Sequence, residues 1–145
     1  MLYSVRFYIS WIVSAIIMYS AFYLWHGVFL TDFSKIEFSK TLFLLLAALV
    51  YLVISFSLYR TFESKTLNKY ISSPLMRGVV SGFILGFILF SIITVLGISF
   101  TKNVNLTYIL VDCAWQVAEQ VLGGLVIGLG KILIFEPTPD MIRHD

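Results

Sequence analysis

Cysteine, charge and histidine are all scarce in this sequence, and each scarcity closes a class of function. Cys113 is the single cysteine in 145 residues, which excludes an intrachain disulfide, a CxxC redox pair and a thiolate metal cage. Charged residues make up 12% of the chain, about half their share in a soluble domain. Ten Lys and Arg against eight Asp and Glu leave a net charge of +2. The ten are scattered, so the basic face that nucleic-acid binding needs is missing and no nucleic-acid partner is expected. No Walker lysine loop, GxSxG elbow or HExxH helix occurs, which removes the commonest hydrolytic chemistries. A haem held wholly by this chain would want two axial ligands at one depth, and His26 is the only histidine within an apolar stretch. The Glu-x-x-His pairs of di-metal helix bundles are also missing. No cofactor and no metal are expected.

What takes the place of charge is hydrocarbon, with 59% of the residues hydrophobic. A helix crossing the roughly 30 Å hydrocarbon core of a bilayer needs about 20 mostly apolar residues. Four stretches reach that length, residues 7–30, 41–59, 78–100 and 107–135. The expected fold is therefore an all-α integral membrane protein, a single domain over 1–145, with four transmembrane helices in a bundle and short loops. The gaps collect what the spans lack. Asp32, Lys35, Glu37 and Lys40 fill the first, and Arg60, Glu63, Lys65, Lys69 and Arg77 the second. In that second gap Ser73-Pro74 reads as an N-cap and a first-turn proline opening the third helix. Apolar and aromatic residues recur at helical spacing past Tyr59, as if the second helix ran on as a basic stub lying on anionic headgroups. Lys102, Asn103 and Asn105 make the third gap, and Glu136-Pro137-Thr138-Pro139 stops the fourth helix, since proline lacks the amide a helix uses.

Orientation follows from counting cations. With four spans, the two ends of the sequence and the second gap share a side, and that side holds Arg6, Arg60, Lys65, Lys69, Arg77, Lys131 and Arg143. The other side holds only Lys35, Lys40 and Lys102. The positive-inside rule then puts both ends in the cytoplasm, in a plasma or inner membrane. A cleaved leader is the rival reading of the first span, but its apolar run exceeds the usual h-region and shows no A-x-A site. Asn105-Leu106-Thr107 matches an N-glycosylation acceptor, although it adjoins the fourth span and reads as a chance match.

Lipid supplies no hydrophobic drive for helices to associate, so close contact depends on small residues. Gly78, Gly82 and Gly86 repeat every four residues in the third span, and Gly124 and Gly128 do so in the fourth. These faces are expected to touch each other, or one of them to be a dimer seam.

Ionisable side chains inside a bilayer cost several kcal/mol unless paired or solvated, which makes each a functional candidate. Three qualify here, His26, Asp112 and Glu119. Asp112, Gln116, Glu119 and Gly123 follow i, i+4, i+7, i+11 and share one face of the fourth helix, with Trp115 and Gln120 at its edges. At about 1.5 Å of rise per residue, His26 and Asp112 both fall about 6 to 8 Å below the outer surface, level enough to pair. Glu119 falls about 18 Å deep, at the level of Tyr19 and Tyr51, whose phenols are donors for it. The expected site is a polar pocket in the outer half of the bundle, lined by these residues with Tyr23, Ser91 and Thr94. Glu119 stands out, because a carboxyl at that depth with no cation beside it is a candidate for proton exchange. The plainer alternative is that these groups only hold the helices together, at about 0.6 kcal/mol per interhelical polar contact on average. Trp11 and Trp25 fit an aromatic belt, Lys131 a side chain reaching for the headgroups, and Cys113 a small buried apolar group.

Three functions compete on this evidence. The first is a small accessory or assembly subunit that packs against a larger membrane protein, or against itself, and uses no enzyme chemistry. The second is a homodimeric proton-linked transporter of a small molecule that uses Glu119. The third is a membrane enzyme or lipid-binding protein acting near the outer leaflet through His26 and Asp112.

Overall fold

The computed structural model describes residues 4–35, 37, 39–98 and 106–135. Within them the chain is all helix and turn. Helix α1 spans Val5–Phe22 and continues as a π-helical turn, Tyr23–Phe29; a 3-10 turn, Asp32–Lys35, follows. Then come α2 (Lys40–Phe62), the short α3 (Lys65–Tyr70), α4 (Pro74–Ile98) and α5 (Leu106–Leu133). Four helices are long and apolar enough to cross a membrane. Serines set the starts of three helices: Ser4, Ser39 and Ser64 accept from the amides of Phe7, Leu42 and Leu67 at 3.2, 3.4 and 3.3 Å. Each thereby satisfies one of the orphan donors that every helix start leaves open.

Ser64 also explains a departure from expectation. The second helix does not run on as a stub; it ends at Phe62, and Ser64 caps a separate helix, α3. The last long helix starts at Leu106 and ends at Leu133, two residues short of the expected limit, with Ile134 and Phe135 outside it. Residues 99–105, including Lys102, Asn103 and Asn105 with its glycosylation pattern, lie outside the described residues. So do Glu136 to Pro139, Arg143 and His144.

The helices alternate in direction. α4 and α5 share the most extensive interface, and glycine makes it possible. A Cβ at Gly78 would collide with the Gly124 carbonyl, one at Gly82 with the backbone of Gln120 and Val121, and one at Gly86 would stand 2.9 Å from Val117 Cα. Gly128 meets Pro74 and Leu75 in the same way. These contacts run in opposite sequence order, as antiparallel helices require. α1 lies across α5 and α2, held by hydroxyl-to-carbonyl bonds: Ser14 Oγ donates to Gly123 O at 3.0 Å, and Ser55 Oγ to Trp11 O at 2.7 Å. Trp11 is thus part of the α1–α2 seam and not of a belt, since its indole N–H donates to Leu52 O at 2.8 Å. The core is small, built on Met18, Tyr51, Leu58, Phe62 and Ile127. Most remaining large apolar side chains point outward.

α2 meets each of α4 and α5 far less than those two meet each other. Its first half and the second half of α4 therefore leave space between them, and that space is the site.

Candidate functional site

A cavity of about 840 Å³ opens between the end of α1, the first half of α2, the second half of α4 and the first half of α5. That volume lies within the roughly 300–1,000 Å³ range of small-molecule sites. Its walls are mainly apolar, with Leu46, Val50, Ile54, Leu89 and Ile93 among them. His26, Tyr51, Thr94, Asp112 and Gln116 supply the polar atoms.

The α5 face expected from the i, i+4, i+7 spacing is the polar side of this site. Asp112 and Gln116 line the cavity, while Glu119 sits one turn deeper at 2% exposure. Glu119 does not itself line the cavity. Tyr51 does, and its phenol neighbours the Glu119 carboxyl, so this ring is the partition between the two. On the far side of Glu119 lies Gln120, fully buried, with Nε2 3.4 Å from Glu119 Oε1 and with Oε1 lacking a hydrogen-bond partner. The Trp115 indole is close to the carboxyl but outside hydrogen-bond geometry. A carboxyl enclosed by a phenol and an amide, with no cation beside it, has no charge to neutralise it when ionised.

His26 and Asp112 both line the cavity, but His26 pairs elsewhere. Its Nδ1 lies 3.0 Å from Asp32 Oδ2. The local backbone explains why. The π turn closes with Leu30 N bonding Trp25 O at 2.9 Å, and Thr31 then takes φ of 52°, a left-handed conformation rare for a β-branched residue. That reversal starts the 3-10 turn and brings Asp32 back over the ring. A linear depth estimate does not register such a turn.

The other expected lining residues divide. Tyr19 donates its hydroxyl to Leu44 O at 3.3 Å, away from Glu119. Tyr23 faces outward, and Ser91 Oγ returns to Phe87 O of its own helix at 2.8 Å. Trp115 and three phenylalanines of the wall, Phe22, Phe43 and Phe90, were not singled out as lining residues; an aromatic in an apolar helix carries no signal that separates a lipid-facing ring from a wall. Trp25 is not a belt residue either. It stacks on Trp115 with centroids 4.3 Å apart and planes 11° from parallel, and both indole N–H groups are buried without a partner.

At the opposite end of the bundle a second polar group joins the helices. Lys131 Nζ pairs with Glu63 Oε1 at 2.7 Å, and the Arg77 guanidinium, 5% exposed, lies 4.6 Å from the Phe62 ring centroid. Lys131 therefore does not reach outward, and Arg77 is more than a loop charge. Among the described residues no three of His, Cys, Asp and Glu converge as metal ligands.

No protein-family model, curated protein or solved structure matches this chain. The class is therefore defined by fold and site alone: an all-helical protein with four helices of membrane-spanning length and a cavity between them. Within that class the particular features are an unpaired carboxylate on the cavity wall and a buried carboxyl behind a tyrosine.

Proposed function

We propose that this chain is a multi-pass protein of a plasma or inner membrane, with both ends of the sequence on the cytoplasmic side. In this reading the bundle takes a small, largely apolar molecule into its interhelical cavity and exchanges it against a proton on Glu119. The observation that carries the proposal is the placement of Glu119 one side chain behind a cavity of about 840 Å³, with Tyr51 and Trp115 lining the cavity and standing beside the Glu119 carboxyl. An interior used only for packing would fill such a volume. A charged or exchangeable group deep in a spanning helix also has to gain something for its desolvation.

The test uses single thiols in a Cys113→Ser background, in reconstituted vesicles. Thr94→Cys, on the cavity wall, reacts with a charged, membrane-impermeant thiol reagent added outside. Ile92→Cys, on the outward side of the same helix at 52% exposure, stays unreacted in lipid. Equal labelling of the two would refute a water-reached cavity. Once a transported molecule is in hand, Glu119→Gln abolishes the proton movement coupled to it while the protein stays folded.

A second reading, an accessory subunit packing against a larger membrane protein or another copy, is favoured by α2. Leu42, Leu45, Leu49 and Val53 are all more than half exposed and form an apolar row along it. Purification in mild detergent separates the readings. A stoichiometric larger partner supports the subunit, whereas a homodimer with nothing attached supports the carrier.

A further inference from the structure

The chemistry of the cavity wall selects the charge of what enters. Asp112 is exposed on that wall and makes no hydrogen bond or ion pair with any described residue. Its ionisable neighbours are engaged, His26 by Asp32 and Glu119 by Tyr51 and Gln120. Five aromatic rings line the same cavity, those of Phe22, Phe43, Tyr51, Phe90 and Trp115. Phe22 ties part of this wall together, 6.2 Å from the Phe43 centroid and 5.4 Å from that of Tyr51.

Aromatic faces are electron-rich and attract cations, most strongly where water is excluded. A free carboxylate on the same wall acts in the same direction. Against an anion both terms reverse, and among the described residues no Lys or Arg lines the wall to offset them. The basic group that does line it, His26, has Nδ1 held by Asp32. We propose that the cavity accepts a lipophilic organic cation, an ammonium group on an apolar body, with Asp112 as its counter-charge and the aromatic rings around its body. This assignment rests on reading the cavity as a small-molecule site.

Three probes of one shape isolate the charge: 1-pyrenemethylammonium, 1-pyrenemethanol and 1-pyreneacetate. Binding to the full chain in neutral detergent is read by energy transfer from tryptophan to pyrene, with empty micelles as background. The ammonium binds saturably, about tenfold more tightly than the alcohol, as one lost ion pair of ordinary strength implies. The acetate binds more weakly than either. Asp112→Asn brings ammonium and alcohol to equal affinity, and Glu63→Gln, a charge change at the opposite end of the bundle, leaves the preference intact. Saturable binding of all three with equal affinity would keep the small-molecule site and overturn the cation assignment. A cation preference that survives Asp112→Asn would overturn the role of Asp112 and with it the proposal. No saturable binding of any probe would count against the cavity reading itself.

Discussion

Glu119 is almost completely buried, at 2% exposure. Its neighbours, the Tyr51 phenol and the Gln120 amide, are hydrogen-bonding groups without charge. Glu119→Gln preserves volume and hydrogen-bonding atoms, so thermal stability in detergent should change by less than about 1 kcal/mol. Glu119→Ala should cost about 2–4 kcal/mol, because it opens a cavity and leaves Tyr51 and Gln120 without a partner. A Gln variant that melts like the Ala variant would mean that the carboxylate charge itself holds the fold. The sequence made Glu119, Asp112 and Gln116 legible because helical periodicity needs only spacing. It hid the true partner of His26, since Thr31 in a left-handed conformation reverses the chain and nothing local in Leu30-Thr31-Asp32 announces a turn. Gln120 was hidden for another reason: an edge position on a helical wheel becomes interior once α4 closes over it through Gly82.

Between elements, glycine decides how near two helices come, and what lies opposite decides the cost of losing it. Gly82 faces the backbone of α5 at Gln120 and Val121, which cannot step aside without moving the helix. Gly130 faces the buried Ser10 side chain, whose Oγ holds no hydrogen bond among the described residues and can rotate without moving a helix. Gly82→Ala should therefore destabilise the protein by about 1–3 kcal/mol, the range of overpacking in a tight interior, and Gly130→Ala by clearly less. Thermal denaturation of the two variants checks the order, and the reverse order would place the tightest seam between α1 and α5. The glycine repeats of α4 and α5 were visible in the sequence and were expected to meet, as they do, but that Gly123 and Gly130 serve α1 while Gly124 and Gly128 serve α4 was not. Adjacent glycines on one helix point to different neighbours. The start of α4 was legible from Ser73-Pro74, whereas the Ser64 cap that separates α3 from α2 and the π turn at Tyr23–Phe29 were not, as a widened turn has no compositional mark.

For the whole molecule, the space between the first half of α2 and the second half of α4 sets the cavity. α4 and α5 form the tightest pair, α1 packs on α5, and α2 is shared between α1 and that pair. Hydrogen bonds from α1 side chains and to its backbone hold α2 in both halves, Tyr19 Oη to Leu44 O in the first and Trp11 with Leu52 and Ser55 further along. The two ends of the bundle also differ in the charged groups they carry. The cavity lies at the end holding Asp32 and Glu37, while the Lys131–Glu63 pair and Arg77 mark the other. If the excess of Lys and Arg governs insertion, the cavity end faces outward. In intact cells carrying the Cys113→Ser background, Glu37→Cys should then react with an impermeant thiol reagent added outside. Lys65→Cys, at the start of α3, should react only after the membrane is opened. The opposite pattern would turn the bundle over and make the cavity a cytoplasmic port, in which case proton exchange at Glu119 would draw on the cytoplasmic rather than the external pool.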